Sequence, residues 1–259
     1  MSETLVGLEL VGDVARVTLD RPEHGNAIDL DTARELGRVL QLVAADDAAH
    51  VVLLTGAGAH FCVGGDVRAM AAARDRGAFV LELARAAHEA VRTMAAMAKP
   101  VVASVRGSAA GAGLSLLLLA DYVIAASDAR LLTAYTSVGL SPDCGQSWLL
   151  PRAVGIAQAV RLTLEPAPLT AGGALDLGLV TEVVAGDILD ATAHDVAQRL
   201  ASGPHLARGM ARALIHASYV SGFDDHLDRE AATIAELAAT PESVTLVDHL
   251  SAKLNRAGD

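Results

Sequence analysis

Short apolar runs alternate with longer segments of helical periodicity over the first two thirds of the chain. The apolar runs have the length and the β-branched content of buried strands. They lie at residues 14–19, 51–55, 101–105 and 122–125. The helical segments lie at residues 29–43, where Asp29 or Asp31 can cap the helix, around 80–97, and from 111 onward. This alternation predicts an α/β domain with parallel strands.

From residue 188 onward the pattern is almost wholly helical, with breaks at glycine and proline. The helical segments are predicted at 188–201, 206–217, 223–239 and 242–254. We therefore predict an α/β core over residues 1–187 and a helical C-terminal region over residues 188–259. The apolar residues of that region fit an interface between subunits or packing against the chain's own core, and the pattern alone leaves both open.

Composition excludes some classes of function. The formal net charge is −11, which argues against non-specific binding to nucleic acid. The only cysteines, Cys62 and Cys144, and the nine histidines have none of the spacings typical of metal sites, so we predict no metal. Aromatic residues are only 3% of the chain, which indicates an aliphatic core, and we expect the single tryptophan, Trp148, inside it.

No segment of the sequence indicates a membrane protein. The N-terminal residues 1–4 are acidic and lack the basic and apolar regions of a signal peptide. The most apolar segment, 111–126, contains Asp121 and is too short to span a bilayer. It is better interpreted as a buried helix followed by a buried strand. We expect a soluble, cytoplasmic protein with no membrane partner.

Two glycine-bearing turns, at residues 61–67 and 107–113, carry the chemical information. Each turn follows a predicted strand and leads into a predicted helix, an arrangement that leaves backbone N–H groups unpaired at the edge of a sheet. Two such turns side by side can direct two N–H groups at one oxygen, as in an oxyanion hole. Small residues allow a ligand to approach the backbone closely.

With these turns, the chain resembles the crotonase, or enoyl-CoA hydratase/isomerase, superfamily over nearly its full length. The resemblance depends on the order and spacing of several short segments. They are Leu19-Asp20-Arg21-Pro22-Glu23 with Asn26-Ala27, Leu54-Thr55-Gly56-Ala57-Gly58, residues 61–66, Lys99-Pro100-Val101-Val102-Ala103, residues 107–113, Ala120-Asp121-Tyr122, Gly139-Leu140-Ser141-Pro142-Asp143 and Gly178-Leu179-Val180.

The resemblance implies a fold, an assembly and a ligand. The fold is a crotonase-like spiral of ββα turns with a helical C-terminal trimerisation region, usually forming trimers or dimers of trimers. The ligand is an acyl-CoA thioester, with coenzyme A as part of the substrate and no permanently bound cofactor. The thioester oxygen is held by the N–H groups at the positions of Gly65 and Ala112, where the family usually has glycine at the second. The implied substrate-binding positions also include Ala27, Asp66, Val67, Arg68, Ser115 and Tyr135, although Asp66 equally fits a helix cap and Arg68 a solvated surface residue.

The acid–base groups distinguish between activities within the superfamily. Hydratases of this family use two glutamates, and their positions here hold Ser115 and Tyr135, which are poor bases near neutral pH. One carboxylate remains nearby, Asp143, in a Ser-Pro-Asp motif that resembles those of phenylacetate-pathway (1,2-epoxyphenylacetyl-CoA) isomerases and enoyl-CoA isomerases. In those relatives the aspartate shuttles a proton, although Asp143 also suits a helix N-cap.

We therefore expect an isomerase that moves a double bond from 3-enoyl-CoA to 2-enoyl-CoA, or rearranges a related epoxide, with Asp143 as proton shuttle. Three alternatives stay open. The first is an enoyl-CoA hydratase that uses Asp143 with water or with Tyr135. The second is an enzyme in which Asp143 acts as nucleophile, as in haloaryl-CoA dehalogenases, or supports thioester hydrolysis. The third is a non-catalytic acyl-CoA-binding protein.

Overall fold

The computed structural model of the chain describes residues 4–247. Strands and helices alternate through its first two thirds, as the apolar pattern predicts. The strands are β1 (Val6–Val11), β2 (Val14–Leu19), β3 (Val51–Gly56), β4 (Val101–Val105), β5 (Ser108–Ala110), β6 (Tyr122–Ala126), β7 (Arg130–Leu132), β8 (Leu169–Thr170) and β9 (Glu182–Val184). The α-helices are α1 (Leu30–Ala45), α2 (Val67–Ala72), α3 (Arg76–Ala96), α4 (Ala112–Leu117), α5 (Gln146–Val154), α6 (Ile156–Leu164), α7 (Ala171–Asp176), α8 (Leu189–Ala201), α9 (His205–Ala217) and α10 (Phe223–Ala238).

The main sheet has the strand order β1-β2-β3-β4-β6-β9, and every pairing in it except β1–β2 is parallel. Its four central strands are those predicted from the sequence. Strand β1 was missed because it is an edge strand whose apolar residues are partly exposed, including Leu8 and Leu10. The strands β5, β7, β8 and β9 were also missed, because two or three residues are too few to display a period.

A second sheet, of order β5-β7-β8, runs beside the first and explains the spiral. The chain leaves the main sheet after β4 to form β5, and again after β6 to form β7. Each of these two turns of the spiral therefore contributes one strand to the main sheet and one strand to the second sheet, and a helix follows the second strand. This is the predicted ββα spiral, and it aligns the turns that follow β3 and β4.

The main sheet is buried on both faces. Successive residues of its central strands point to opposite sides, so that Val52 and Leu54 join the core under α1 and α3, whereas Val51 and Leu53 join the core under α8. Burial on both faces produces the nearly continuous apolar runs that identified these strands.

The helical C-terminal region begins with α8, which covers one face of the main sheet. Helix α9 is fixed to the core by Arg212, which is buried and donates to Asp121 and to three backbone carbonyls. Residues 241–247 are helical, and the rest of the helix predicted at 242–254 lies outside the described residues. The boundary between residues 187 and 188 stays a prediction.

Two further expectations concern apolar segments. The segment 111–126 forms α4 followed by β6, as predicted. The expectation that Trp148 lies in the core was wrong: it is 48% exposed on α5, with the Arg152 guanidinium 3.7 Å from its ring centroid. Over residues 4–247, no helix combines the length and the apolar content needed to cross a membrane.

Candidate active site

The two glycine-bearing turns are joined by a short parallel bridge. Cys62 in the first turn pairs with Ala109 in β5. The Cys62 N–H donates to the Ser108 carbonyl at 3.1 Å, and the Ala110 N–H donates to the Cys62 carbonyl at 2.9 Å. Turns that lie 46 positions apart in the sequence are thus neighbours in space, as the spacing of the glycine motifs predicts.

Three glycines permit this close approach. Gly64 and Gly111 have φ angles of 103° and 52°, in the region that favours glycine. A Cβ atom at Gly64 would lie 3.0 Å from the Ala110 carbonyl oxygen, and one at Gly113 would lie 2.3 Å from the Cys62 carbonyl oxygen. Larger side chains at these positions would therefore push the turns apart.

The N–H groups of Gly65 and Ala112 are available to a ligand. Gly65 forms a parallel bridge with Ile28, in which the flanking Gly64 carbonyl and Asp66 N–H make the hydrogen bonds. The Ala112 N–H belongs to the first residue of α4, where a helix provides no acceptor. Within residues 4–247, neither N–H has a hydrogen-bond acceptor. Both residues line the same cavity.

A buried polar network holds the first turn in place. The Asn26 side chain donates to the carbonyls of Ala57 and His60, at 2.9 and 2.7 Å. Arg21 donates to the Ala27 carbonyl and forms ion pairs with Asp29 and Asp66. The network thus fixes both the entry to the turn and its exit into α2.

Asp66 belongs to this network and does not line the cavity. Its carboxylate caps α2 by accepting the N–H groups of Arg68 and Ala69. Burial raises the pKa of Asp66, but the hydrogen bond from Ala69 and the charge of Arg21 outweigh burial and hold this pKa below its usual range. Capping a helix was one of the two roles that the sequence suggested for Asp66, and it is the role seen in the structure.

The cavity has a volume of about 450 Å³ and a mostly apolar wall. Its wall comes from the two turns, from α3 and from the segment before α5. The lining side chains include Ile28, Val63, Val67, Met70, Val80, Leu81, Leu83, Ala84, Ala87, Tyr135, Val138, Leu140, Ser141, Asp143 and Cys144. Among these described residues, Asp143 has the only carboxylate. The structure therefore places one carboxylate in the same cavity as the two free N–H groups.

Tyr135 lines the cavity and donates its hydroxyl to Asp143 Oδ1. Burial, followed by the negative charges that Cys144 and Asp143 carry when ionised, raises the pKa of Tyr135 well above its usual value. The phenol therefore stays protonated and acts as a hydrogen-bond donor to Asp143, not as a base.

Ser115 lies behind the cavity wall. It is fully buried, donates to the Gly111 carbonyl at 3.1 Å, and is contacted by the Gln146 side chain at 3.4 Å. Gln146 also donates to the Gly111 carbonyl, at 3.3 Å. Both side chains thus support the second turn from behind, and Ser115 is not among the residues that line the cavity.

The other predicted substrate-binding positions are dispersed. Ala27 is buried below the first turn, and its carbonyl is occupied by Arg21. Val67 is on the cavity wall at the start of α2, and Arg68 is exposed beside it.

Sequence reasoning missed His88, which lies on α3 against the segment that precedes α5 and carries Asp143 and Cys144. Its Nε2 accepts the N–H of Cys144 at 3.2 Å. Its ring, the Asp143 carboxylate and the Cys144 thiol have potential metal-ligating atoms within 4.8 Å of one another. The expectation of no metal site was based on sequence spacing, which cannot detect ligands 55 residues apart. These three residues are the described ones that together could hold a metal ion.

Comparison with known proteins places the chain in a family. Residues 9–244 match the family model described as enoyl-CoA hydratase/isomerase. The 1,2-epoxyphenylacetyl-CoA isomerase of Escherichia coli is 38% identical over 222 residues, 84% of either chain. A protein of Rhodobacter capsulatus named "Probable enoyl-CoA hydratase" is 34% identical over 93% of either chain. The crystal structure of an enoyl-CoA hydratase/isomerase from Cupriavidus metallidurans superposes with a TM-score of 0.89 at 31% identity, covering 98% of this chain and 95% of that one.

The α/β fold described above is thus shared, over nearly the full chain, with a solved structure of an enoyl-CoA hydratase/isomerase. The chain belongs to the enoyl-CoA hydratase/isomerase family, the crotonase superfamily. The family acts on acyl-CoA thioesters. The relatives carry isomerase and hydratase names alike, so the names do not decide between the two reactions.

Proposed function

We propose that this protein is an acyl-CoA isomerase that converts a 3-enoyl-CoA to the conjugated 2-enoyl-CoA. The observation that carries the proposal is that Asp143 is the only carboxylate among the described residues lining the cavity that holds the free N–H groups of Gly65 and Ala112. One carboxylate beside an oxyanion hole suits a reaction that moves a proton and adds no water.

In the proposed mechanism, the thioester oxygen accepts hydrogen bonds from the N–H groups of Gly65 and Ala112. Asp143 removes a proton from the α-carbon, and the electrons of that C–H bond form a dienolate whose negative charge rests on the thioester oxygen. The protonated Asp143 then delivers the proton to the γ-carbon as the double bond moves between the α- and β-carbons. The carboxylate is regenerated, so that the reaction needs no cofactor.

The residues at the two hydratase glutamate positions favour isomerisation over hydration. Addition of water benefits from two acid–base groups, one for the water and one for the α-proton. Ser115, at one of the two hydratase glutamate positions, is buried behind the wall, and Tyr135, at the other, donates to Asp143. A second candidate is isomerisation of an epoxide-bearing acyl-CoA, which is supported by the relative named 1,2-epoxyphenylacetyl-CoA isomerase.

We also propose where coenzyme A and further subunits bind. Val67 on the wall and the exposed Arg68 suit the entry of the CoA moiety along α2. Exposed apolar side chains on α9, on α10 and in the segment between them suit a homotrimer or a dimer of trimers. They include Leu206, Ile215, Val220, Leu227 and Ile234.

The test is proton exchange and double-bond migration in heavy water. The unaltered protein and the Asp143→Asn variant are incubated with 3-enoyl-, 2-enoyl- and saturated acyl-CoA esters and followed by NMR. We expect migration with deuterium entering at the α- or γ-carbon. We expect the variant to lose at least the 10²-fold that an acid–base group contributes.

Ser141→Ala is the matched control, because Ser141 lines the same wall two residues away and carries no acid–base group. It is expected to retain exchange. Formation of 3-hydroxyacyl-CoA would instead establish a hydratase. Binding of the esters without exchange at the α-carbon would identify a non-catalytic acyl-CoA-binding protein. Oxygen-18 entering the Asp143 carboxylate from water during a single turnover would identify a nucleophile.

A further inference from the structure

Three different metal-ligating groups meet at one side of the cavity. His88 comes from α3, and Asp143 and Cys144 come from the segment that precedes α5. An imidazole nitrogen, a carboxylate oxygen and a thiol sulfur lie within 4.8 Å of one another. Asp143 and Cys144 line the cavity. The Cys144 N–H donates to His88 Nε2, and a cation bound to the ring would replace this hydrogen bond.

This donor set is the kind that zinc and similar borderline cations accept. Bonds of about 2.0–2.3 Å from zinc to nitrogen, oxygen and sulfur put tetrahedral ligand atoms roughly 3.3–3.8 Å apart. The three side chains would close by no more than about 1.5 Å at the widest pair to meet this requirement. Three protein ligands and one position open to the cavity are the usual arrangement of zinc sites that exchange ligands.

The backbone at Cys144 is an independent sign of a specialised position. Its φ is 50°, which is uncommon for a residue with a side chain, and the next residue, Gly145, has a φ of 78°. Two consecutive residues of this kind bring Cys144 to the cavity wall beside Asp143. Backbone strain of this type clusters at active sites and ligand-binding segments.

We propose that His88, Asp143 and Cys144 form a binding site for zinc or a similar divalent cation, and that the bound cation inhibits the enzyme. Cys144 binds as the thiolate, and its proton is released to solvent. Inhibition follows because the cation occupies the carboxylate of Asp143. The inhibitory part rests on the proposed isomerase activity, whereas the binding part does not.

Cobalt(II) is the probe for binding, because a thiolate ligand gives it a charge-transfer band and tetrahedral coordination gives it strong visible bands. The protein is freed of metal with a chelator and titrated with CoCl₂. We expect one cobalt per chain with both spectral features. Cys144→Ser is expected to lose the charge-transfer band, and His88→Gln to weaken affinity by more than the roughly 10–100-fold that loss of a second-shell partner causes.

Cys62→Ser and His24→Gln are the matched controls, and both are expected to keep the spectrum. X-ray absorption of the zinc-loaded unaltered protein provides a measurement that needs no variant and should give one sulfur among the ligands. Cobalt bound without a sulfur ligand, or a spectrum unchanged in Cys144→Ser, would overturn the site. Zinc that binds there while double-bond migration continues at full rate would overturn the inhibition. A protein that binds cobalt as expected but has no isomerase activity would contradict the proposed function and leave the site standing.

Discussion

A single methyl group at Gly64 tests whether the two turns must meet. Gly64 has a positive φ, and a Cβ there would contact the Ala110 carbonyl oxygen at 3.0 Å. We expect Gly64→Ala to displace the N–H of Gly65 and to lower kcat by about 10²–10³-fold, the effect of losing one oxyanion-hole donor. Steady-state kinetics with a 3-enoyl-CoA would measure this loss.

Gly178→Ala is the control for this substitution. Gly178 has a φ of 74°, but a Cβ there would have no neighbour within 4 Å. Its substitution adds a similar backbone strain of about 1–2 kcal/mol without touching the turns. Equal losses of activity in the two variants would attribute the effect to instability and not to the oxyanion hole.

Tyr135 is predicted to orient the proton shuttle. Tyr135→Phe removes the hydroxyl that donates to Asp143 and keeps the shape of the wall. A hydrogen bond to a charged group contributes about 1.5–3 kcal/mol, so we expect kcat to fall roughly 10–100-fold while KM stays nearly unchanged. A KM that rises while kcat is retained would show that Tyr135 binds substrate instead.

At the scale of single residues, the sequence predicts which residues belong to the site better than it predicts which residues lie beside them in space. Asp143, Gly65 and Ala112 were identified by their motifs, and the structure brings all three to one cavity. His88 gave no signal, because a lone histidine on an amphipathic helix has no local pattern. The burial of Ser115 was equally invisible, because it depends on how α4 and α5 pack.

Helix α9 is predicted to depend on one buried arginine. Arg212 donates hydrogen bonds to the Asp121 carboxylate and to the carbonyls of Met94, Met97 and Leu119. Arg212→Met would remove the donor of all four hydrogen bonds. Removing one partner of a buried ion pair costs about 3–5 kcal/mol. We expect a decrease of that size in the free energy of unfolding measured in urea.

The exposed Arg229 on α10 provides the control. Arg229→Met is expected to change the free energy of unfolding by less than about 0.5 kcal/mol, as most surface substitutions do. An Arg212→Met variant as stable as the control would mean that α9 is held by its apolar contacts alone.

The ion pair between Arg212 and Asp121 also predicts how the free energy of unfolding depends on pH. Burial raises the pKa of Asp121, but the hydrogen bond from His216 and the charge of Arg212 outweigh burial and lower this pKa. The stabilisation is therefore complete above the unfolded pKa of about 3.9 and is lost as the pH falls through the folded pKa. Urea unfolding between neutral and acidic pH should give a smaller decrease for Asp121→Asn than for the unaltered protein, and equal decreases would contradict the assignment.

The elements that could be predicted are those with enough residues to display a period. The central strands and the long helices were found, because burial on one or both faces produces a recognisable pattern of apolar positions over five or more residues. The second sheet was not, because its strands of two or three residues are defined by pairing partners far away in the chain. The spiral itself came from resemblance to a family and not from periodicity.

For the whole molecule, the exposed apolar side chains of α9, of α10 and of the segment between them predict an oligomer. Val220 and Ile234 are 81% and 70% exposed, and exposed apolar side chains grouped in one region mark interaction surfaces. We expect light scattering after size exclusion to give three or six times the chain mass of 26.5 kDa. The double variant Val220→Asp/Ile234→Asp should shift the protein toward the monomer, because it buries two unpaired charges in the interface.

Leu42→Asp is the control for this experiment, because Leu42 is an exposed apolar residue on α1, outside the C-terminal region. It is expected to leave the assembly unchanged. A monomeric unaltered protein would contradict the trimer, whereas an oligomer that survives the double variant and fails in the control would move the interface to the α1 side. Because the cavity is formed within a single chain, kinetics of the dissociated variant would also reveal whether assembly contributes to catalysis. Retained turnover in the monomer would show that Asp143 and the two turns act without a neighbouring subunit.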